Sequence, residues 1–167
     1  LAGFSVGSVY SLIENKDDLF RQIFLRRGEQ FMTGMRELLA DESVAPLEQL
    51  QHLAQFQVEF FRSCRHFGRI FLRYSSIAHL AARNDQVDEA VARRYDEAMQ
   101  MQADIFRRGQ KSGEICDGDP FVLSRLFSGL ISAFQSVDPA VVSDDDREEH
   151  LPLAELRALV ARAFAAT

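Results

Sequence analysis

Helical periodicity runs along nearly the whole chain and restricts its fold more than any other feature. Apolar residues recur at intervals of three and four positions, whereas the alternating runs and Asn-Gly turns that are typical of β-hairpins are absent. The chain has 167 residues, 47% of them hydrophobic, which is enough to bury one sizeable core. These features predict an all-α fold.

Helix boundary signals divide this pattern into segments. Asn15 and Asp119 can cap free N–H groups at helix starts, and Pro46 and Pro120 suit a first helical turn. Gly113 is typical of a residue that follows a helix end. The predicted helices cover residues 5–13, 16–39, 46–66, 68–82, 85–112, 120–137 and 152–164.

The predicted helix that begins at Pro46 carries two apolar stripes. One stripe includes Leu50 and Ala54, and the other includes Leu53 and Phe56. An ordinary surface helix buries a single stripe. We therefore expect this helix to pack on more than one side, at the centre of a bundle.

The composition argues against several classes of protein. No apolar run approaches the length of a membrane span, so no membrane partner is expected. Cys64 and Cys116 lack the spacing of a metal site or a disulfide framework, which favours a reduced, cytoplasmic setting without a metal or cofactor. The net charge is −6, but residues 1–36 hold five basic against four acidic side chains, or +1, which leaves −7 for the remainder. An anionic partner should therefore meet the N-terminal end.

A helix-turn-helix motif occupies residues 2–20, which read AGFSVGSVYSLIENKDDLF. Gly3 and Val9 have the spacing of a tight turn and of the apolar residue that docks the second helix. The full string resembles the signature of the TetR family of bacterial transcriptional regulators, roughly Ala-Gly-Val-Ser-x-Gly-x-Leu-Tyr-x-His-Phe-x-Ser-Lys-Glu-x-Leu. The sequence KSGEI at 111–115, followed by Asp119-Pro120, is similar to the junction between the family's seventh and eighth helices.

The resemblance implies a bundle of about nine helices with two units. Residues 1–38 would hold the remainder of the helix-turn-helix unit and a linking helix, and residues 39–167 the ligand-binding and dimerisation domain. The family's first helix and most of its second are expected upstream of residue 1. The implied function is a cytoplasmic homodimeric repressor that a small apolar or aromatic effector releases from a palindromic operator.

The first short helix would be the DNA recognition helix. Tyr10 and Lys16 match phosphate-contacting positions of the family, although Tyr10 could instead pack within the helix pair and Lys16 could be solvated. Val6 and Ser11 depart from the family's usual residues, so the operator sequence is not predicted. The candidate DNA-binding residues are Ser5, Val6, Ser8, Tyr10, Ser11 and Lys16.

An interior with room for an apolar effector is suggested by the double-striped helix and by the presence of 14 Phe and no Trp. Filling of the core would explain most of the same residues. The candidate ligand-binding residues are Phe56, Phe60, Cys64, Phe67, Phe71, Tyr74, Met99, Gln102, Ile105 and Phe106.

The helix over 120–137 also carries a face of small residues, which permits close approach of another helix. With the last helix it resembles the family's dimer element, a four-helix bundle across a two-fold axis. The candidate interface residues are Ser128, Gly129, Ser132, Ala133, Ser136, Leu156, Val160 and Phe164.

Two other functions are considered. A helical enzyme is disfavoured because the sequence shows no His/Glu metal-ligand pairs, nucleophile elbow or phosphate loop. A regulator that responds to a protein partner, or that has no small-molecule effector, remains an alternative.

Overall fold

A computed structural model describes residues 16–64, 66–68, 89–139 and 150–166. Most of this part of the chain lies in five helices, and it contains no strand beyond an isolated bridge between Ile115 and Ala165. The helices are α1 (Lys16–Leu39), α2 (Pro46–Ser63), α3 (Glu89–Ser112), α4 (Pro120–Ser136) and α5 (Leu153–Phe164). The all-α prediction is confirmed. The predicted helix at 5–13 and nearly all of that at 68–82 lie outside the described residues.

The predicted boundary residues that the structure describes act as expected, whereas Asn15 lies outside the described residues. Asp119 accepts hydrogen bonds through Oδ1 from the backbone N–H groups of Phe121 and Val122, at 2.9 and 3.0 Å. Gly113 has a φ of +77°, in the left-handed region that favours glycine after a helix end. Helix α2 ends three residues earlier than predicted, at Ser63 in place of 66, because Cys64 leaves the helical region with φ −130° and ψ 55°. Helix α4 ends one residue earlier than predicted, at Ser136.

Helix α2 contacts each of the other four described helices. Leu50 and Ala54 of its first stripe and Leu53 of its second are all fully buried. This confirms the prediction of a central helix. The buried face also contains two glutamines, Gln49 and Gln57, which the apolar pattern did not predict.

The centre of the core is packed by aromatic rings from three helices. Phe106 of α3 lies 6.3 Å from Phe127 of α4 and 5.2 Å from Phe164 of α5, measured between ring centroids. All three rings are buried. Edge contacts of this kind add to the free energy of burial, so this end of the bundle is a filled core.

A buried ion pair joins the end of α2 to the segment before α5. Arg62 donates through Nε and Nη2 to Oδ2 of Asp138 at 2.9 and 2.7 Å, and through Nη2 to the carbonyl oxygen of Leu151 at 2.6 Å. Asp138 is fully buried. Because Asp138 and Leu151 flank residues 139–150, Arg62 holds together the two ends of that segment.

No helix in the described part of the chain is both long enough and apolar enough to cross a bilayer.

Candidate functional site

Five phenylalanines form a contiguous group, here called the aromatic cluster, where α1 meets α2. Its members are Phe31 of α1, Phe56, Phe60 and Phe61 of α2, and Phe67, which follows α2. Phe31 is central, with ring centroids 5.6, 5.3 and 5.8 Å from those of Phe56, Phe60 and Phe61. Phe61 and Phe67 are buried, whereas Phe31, Phe56 and Phe60 are half-buried. The cluster therefore has accessible apolar surface, unlike the filled core around Phe106.

Helices α1 and α2 approach closely at one point beside this cluster. A Cβ atom built on Gly34 of α1 would lie 2.5 Å from Cζ and 2.7 Å from Cε2 of Phe56. These distances are far inside van der Waals contact. The position of the Phe56 ring is thus directly tied to the backbone of α1.

Gln57 lies beside the cluster on the buried face of α2. Its carbonyl oxygen accepts a hydrogen bond from Nε2 of Gln135 at 3.4 Å. Its own side-chain Nε2 has no hydrogen-bond partner, the one such buried side-chain atom among the residues that the structure describes.

The predicted ligand-binding residues divide into those that lie in or beside the aromatic cluster, those that lie elsewhere in the bundle and those outside the described residues. Phe56, Phe60 and Phe67 belong to the aromatic cluster, and Cys64 adjoins it by donating from Sγ to the carbonyl oxygen of Phe60 at 3.1 Å. Phe31, Phe61 and Gln57 were missing from the predicted set. The sequence signal that could have identified Phe61 and Gln57 was their spacing of four residues, which makes them neighbours on one face of the helix.

Other predicted ligand residues lie away from the cluster. Ile105 and Phe106 are packed in the filled core, and Gln102 is buried where its Oε1 accepts from Ser128 at 3.1 Å. Met99 lines a different cleft of about 290 Å³, with Tyr95, Asp96, Gln100, Phe121 and Arg125. Phe71 and Tyr74 lie outside the described residues.

Two arginines connect α1 to α3 in what is here called the interhelical ion network. Arg36 of α1 donates to Oε1 of Glu97 at 3.0 and 2.7 Å, and Arg94 of α3 donates to Oε2 of Glu29 at 2.9 Å. Arg94 also donates to the carbonyl oxygen of Leu25 at 2.6 Å. The hydrogen bond to Glu97 raises the pKa of Arg36 further above its ordinary value, so the guanidinium stays charged. The network fixes α1 against the body of the bundle.

An apolar stripe is exposed along α4. Val122, Leu126 and Val137 are 54%, 58% and 65% exposed, and Leu159 of α5 is 38% exposed. At Gly129, on the same helix, an added Cβ would meet no atom within 4 Å. This face has no partner among the described residues of the chain.

The predicted interface residues are distributed over both sides of these helices. Ala133 and Ser136 are exposed, and Ser128, Gly129 and Ser132 are half-buried. By contrast, Leu156, Val160 and Phe164 are buried inside the subunit, because α5 presents its apolar face to α2 and the core. Their side chains are not on the surface, and Leu159 is the large apolar residue that α5 exposes.

Most of the predicted DNA-binding residues lie outside the part of the chain that the structure describes. Ser5, Val6, Ser8, Tyr10 and Ser11 lie outside the described residues. Lys16 is the first residue of α1.

No family model matches the sequence, and no curated protein matches it. The fold, however, resembles that of several solved regulators. FadR from Bacillus subtilis, in complex with stearoyl-CoA, aligns with a TM-score of 0.66 and 19% identity over 96% of this chain and 81% of that one. The regulatory protein TetR from Rhodobacter sphaeroides aligns with a TM-score of 0.57 and 25% identity over 96% and 82%.

A third structure, AibR with isovaleryl coenzyme A and operator DNA, aligns with a TM-score of 0.56 and 15% identity over 94% of this chain and 78% of AibR. Two of the three are named as regulators and the third was solved with operator DNA, and none is named as an enzyme. The chain has the fold of the TetR family of transcriptional regulators.

Proposed function

We propose that this protein is a ligand-responsive repressor of transcription that an apolar or aromatic small molecule releases from a palindromic operator. The observation that carries the proposal is the aromatic cluster, which is shared between α1 and the central helix α2. The motif at 2–20 and the fold support the DNA-binding part. We assign residues 1–38 to the DNA-binding unit with its linking helix, and 39–167 to the sensing and dimerisation domain.

The cluster suits an apolar effector. Phe31, Phe56 and Phe60 keep accessible ring surface, and burying such surface against a ligand is favourable at about 25 cal/mol per Å². FadR and AibR, with similar folds, were solved with acyl-coenzyme A compounds. This supports a sensing domain whose fold can hold a molecule with a hydrocarbon part.

Release of DNA would follow from the contact between Gly34 and Phe56. An effector inserted among the rings displaces Phe56, and because that ring lies against the backbone of α1, the helix must tilt. Helix α1 begins inside the motif, shortly after the predicted recognition helix at 5–13, so its tilt changes the separation of the two recognition helices in a dimer. Half-sites lie roughly 34 Å apart, and a dimer with altered spacing engages only one of them well.

Binding of effector and operator are then coupled. By linkage, the effector must bind the free protein more tightly than the DNA-bound protein, by the factor with which it weakens DNA binding. Typical coupling of about 1–3 kcal/mol corresponds to roughly 5- to 150-fold.

Dimerisation is proposed through α4 and α5. The exposed stripe of Val122, Leu126 and Val137, with the open surface at Gly129, is the kind of contiguous apolar patch that monomers rarely leave in water. A second copy related by a two-fold axis would cover it. Because its proposed partner is operator DNA, we propose that the protein acts in the cytoplasm.

The test uses the purified full-length protein. Its operator is selected from random DNA, and release is then measured with a panel of aromatic and aliphatic compounds for wild type, Phe60→Ala and Glu59→Ala. Phe60 belongs to the cluster, whereas Glu59 is the preceding residue, on the exposed side of α2, and serves as the matched control. We expect the first variant alone to change which compounds release the operator.

Other outcomes contradict parts of the proposal. Failure to select any DNA sequence would overturn the repressor. Selection of an operator that no compound releases would favour control by a protein partner. Equal responses of all three proteins would move the effector site away from the cluster.

A further inference from the structure

The buried face of α2 contains a hydrogen-bond donor without an acceptor. Gln57 is only 7% exposed, and its Nε2 has no partner among the described residues. Proteins pair nearly all buried polar groups, because an unsatisfied amide loses its water without replacement. Such a group inside a proposed binding region points to a ligand that supplies the acceptor.

Two other buried glutamines, Gln49 and Gln135, have paired side-chain amide nitrogens. Nε2 of Gln49 donates to the carbonyl oxygen of Asp41 at 2.7 Å. Nε2 of Gln135 donates to the carbonyl oxygen of Gln57 at 3.4 Å. Gln57 thus accepts through its backbone while its side-chain nitrogen stays unpaired.

The position of Gln57 connects it to the aromatic cluster. It lies three and four residues before Phe60 and Phe61, so the three residues are neighbours on the surface of the helix. Because side chains in a helix lean towards its N-terminus, Phe61 leans towards the turn that carries Gln57. One amide donor therefore adjoins a largely apolar aromatic surface.

The buried charges of the protein indicate whether the hydrogen-bond acceptor of the ligand is ionised or neutral. Among the described residues, the buried charged group is Asp138, whose carboxylate is paired with Arg62. Among these residues, a carboxylate ligand would therefore find no buried counter-charge that is not already paired, and burial of the carboxylate would carry a large cost. A neutral carbonyl oxygen accepts a hydrogen bond from an amide without that cost.

We propose that Gln57 is the polar anchor of the effector site, and that the effector is an apolar or aromatic molecule with a neutral carbonyl acceptor, such as a ketone, ester or thioester. This inference rests on the proposed function, which makes the aromatic cluster the effector site. The donor selects among apolar molecules by rejecting those that leave it unpaired.

The experiment compares two probes of nearly equal shape. Acetophenone has a C=O group where α-methylstyrene has C=CH₂, so only acetophenone can accept from Gln57. Binding to full-length wild type, Gln57→Met and Gln55→Met is measured by ligand-observed NMR and calorimetry. Methionine keeps the length of glutamine without the donor, and Gln55 is the matched control because it is paired on the same helix with Glu59 at 2.9 Å.

We expect wild type and Gln55→Met to prefer acetophenone by roughly tenfold, about the value of one hydrogen bond in a buried site. Gln57→Met should lose that preference while binding α-methylstyrene as tightly as wild type. In the absence of ligand, Gln57→Met should melt at a higher temperature than wild type, because it removes an unsatisfied buried group.

Three binding results would overturn the proposal that Gln57 anchors the effector. These are equal binding of both probes by wild type, a preference that survives in Gln57→Met, and failure of wild type to bind either probe at its limit of solubility. A lower melting temperature of unliganded Gln57→Met would likewise show that the amide is satisfied within the protein. Failure of the proposed function is separate, since it would be seen as an operator that no compound in the wider panel releases.

Discussion

The ring of Phe56 occupies the space in which any side chain at Gly34 would begin. Its Cζ atom lies 2.5 Å from the position of a Cβ on Gly34, so the linking helix and the candidate effector site share one contact surface. Glycine is required here by the close approach of two helices, since no unusual φ is involved.

Substitution of Gly34 by alanine should therefore affect both the linking helix α1 and the candidate effector site. Alanine favours a helix by about 0.5–1 kcal/mol, but overpacking costs about 1–3 kcal/mol, so we expect a net loss of stability of about 1 kcal/mol in urea unfolding. The displaced Phe56 ring should also weaken operator binding without effector. In Gly34→Ala/Phe56→Leu the loss should be smaller than the sum of the two single changes.

Gly28→Ala is the matched control for this prediction. A Cβ at Gly28 would lie 3.3 Å from Nη1 of Arg94, which donates to the carbonyl oxygen of Leu25 and would need to move by only a few tenths of an ångström. This variant should be as stable as wild type or slightly more so. Equal destabilisation by both alanines would show that the contact with Phe56 is unimportant.

The interhelical ion network should set how easily α1 tilts. Substitution of Arg94 by alanine removes its bonds to Glu29 and to the carbonyl oxygen of Leu25 and leaves Glu29 only the longer contact with Arg36, at 3.4 Å. Because the pairs are partly exposed, we expect little change in melting temperature, but operator release at a lower effector concentration. The effect should be largest at low salt, where screening is weakest.

Arg107→Ala provides the comparison. Arg107 pairs with Asp104 within α3 and lies over the ring of Phe121 of α4, and it has no bond to the described side chains of α1. Its loss should leave the effector concentration for half-release unchanged. If Arg94→Ala behaves in the same way, the network does not restrain the linking helix.

Local chemistry in the sequence was enough to predict several of the helix boundaries. Asp119, Gly113 and Pro46 each act on their own backbone or that of the next turn, so their roles do not depend on distant contacts. The central place of α2 also followed from its own two stripes. These features were predictable because a single segment determines them.

The division between filled core and candidate site was not predictable in this way. Phe106 and Phe60 are both apolar residues on inward faces, and only their partners on other helices make one fully buried and the other half-buried. The inward face of α5 was mistaken for an interface because an apolar stripe predicts burial without naming what covers it. Gln57 was overlooked because a polar residue does not contribute to an apolar pattern.

The ion pair between Arg62 and Asp138 should matter for stability more than the exposed network. Asp138 is fully buried and the Arg62 side chain is 14% exposed. Arg62 donates twice to this buried carboxylate, and removal of one partner from a buried ion pair typically costs about 3–5 kcal/mol. We expect Arg62→Met to show such a loss in urea unfolding, and Arg162→Met, at an exposed position of α5, to show almost none. A small effect of Arg62→Met would mean that water or another group replaces the guanidinium.

The last prediction concerns the exposed stripe of α4. Leucine at Gly129 meets no atom of its own subunit within 4 Å of its Cβ, so it should leave the fold of the subunit intact. In a dimer through α4 and α5 it would hold the facing helices apart, at an interface that in obligate dimers buries on the order of 2,000 Å² or more. Sedimentation velocity should show wild type as a dimer at micromolar concentration and Gly129→Leu shifted towards monomer.

Glu59→Leu, which adds the same side chain to the exposed side of α2, should remain a dimer. Operator binding should fall with dimerisation in the first variant only, because one subunit can occupy only one half-site. A wild-type monomer at these concentrations, or a Gly129→Leu dimer of unchanged affinity, would exclude this face as the interface.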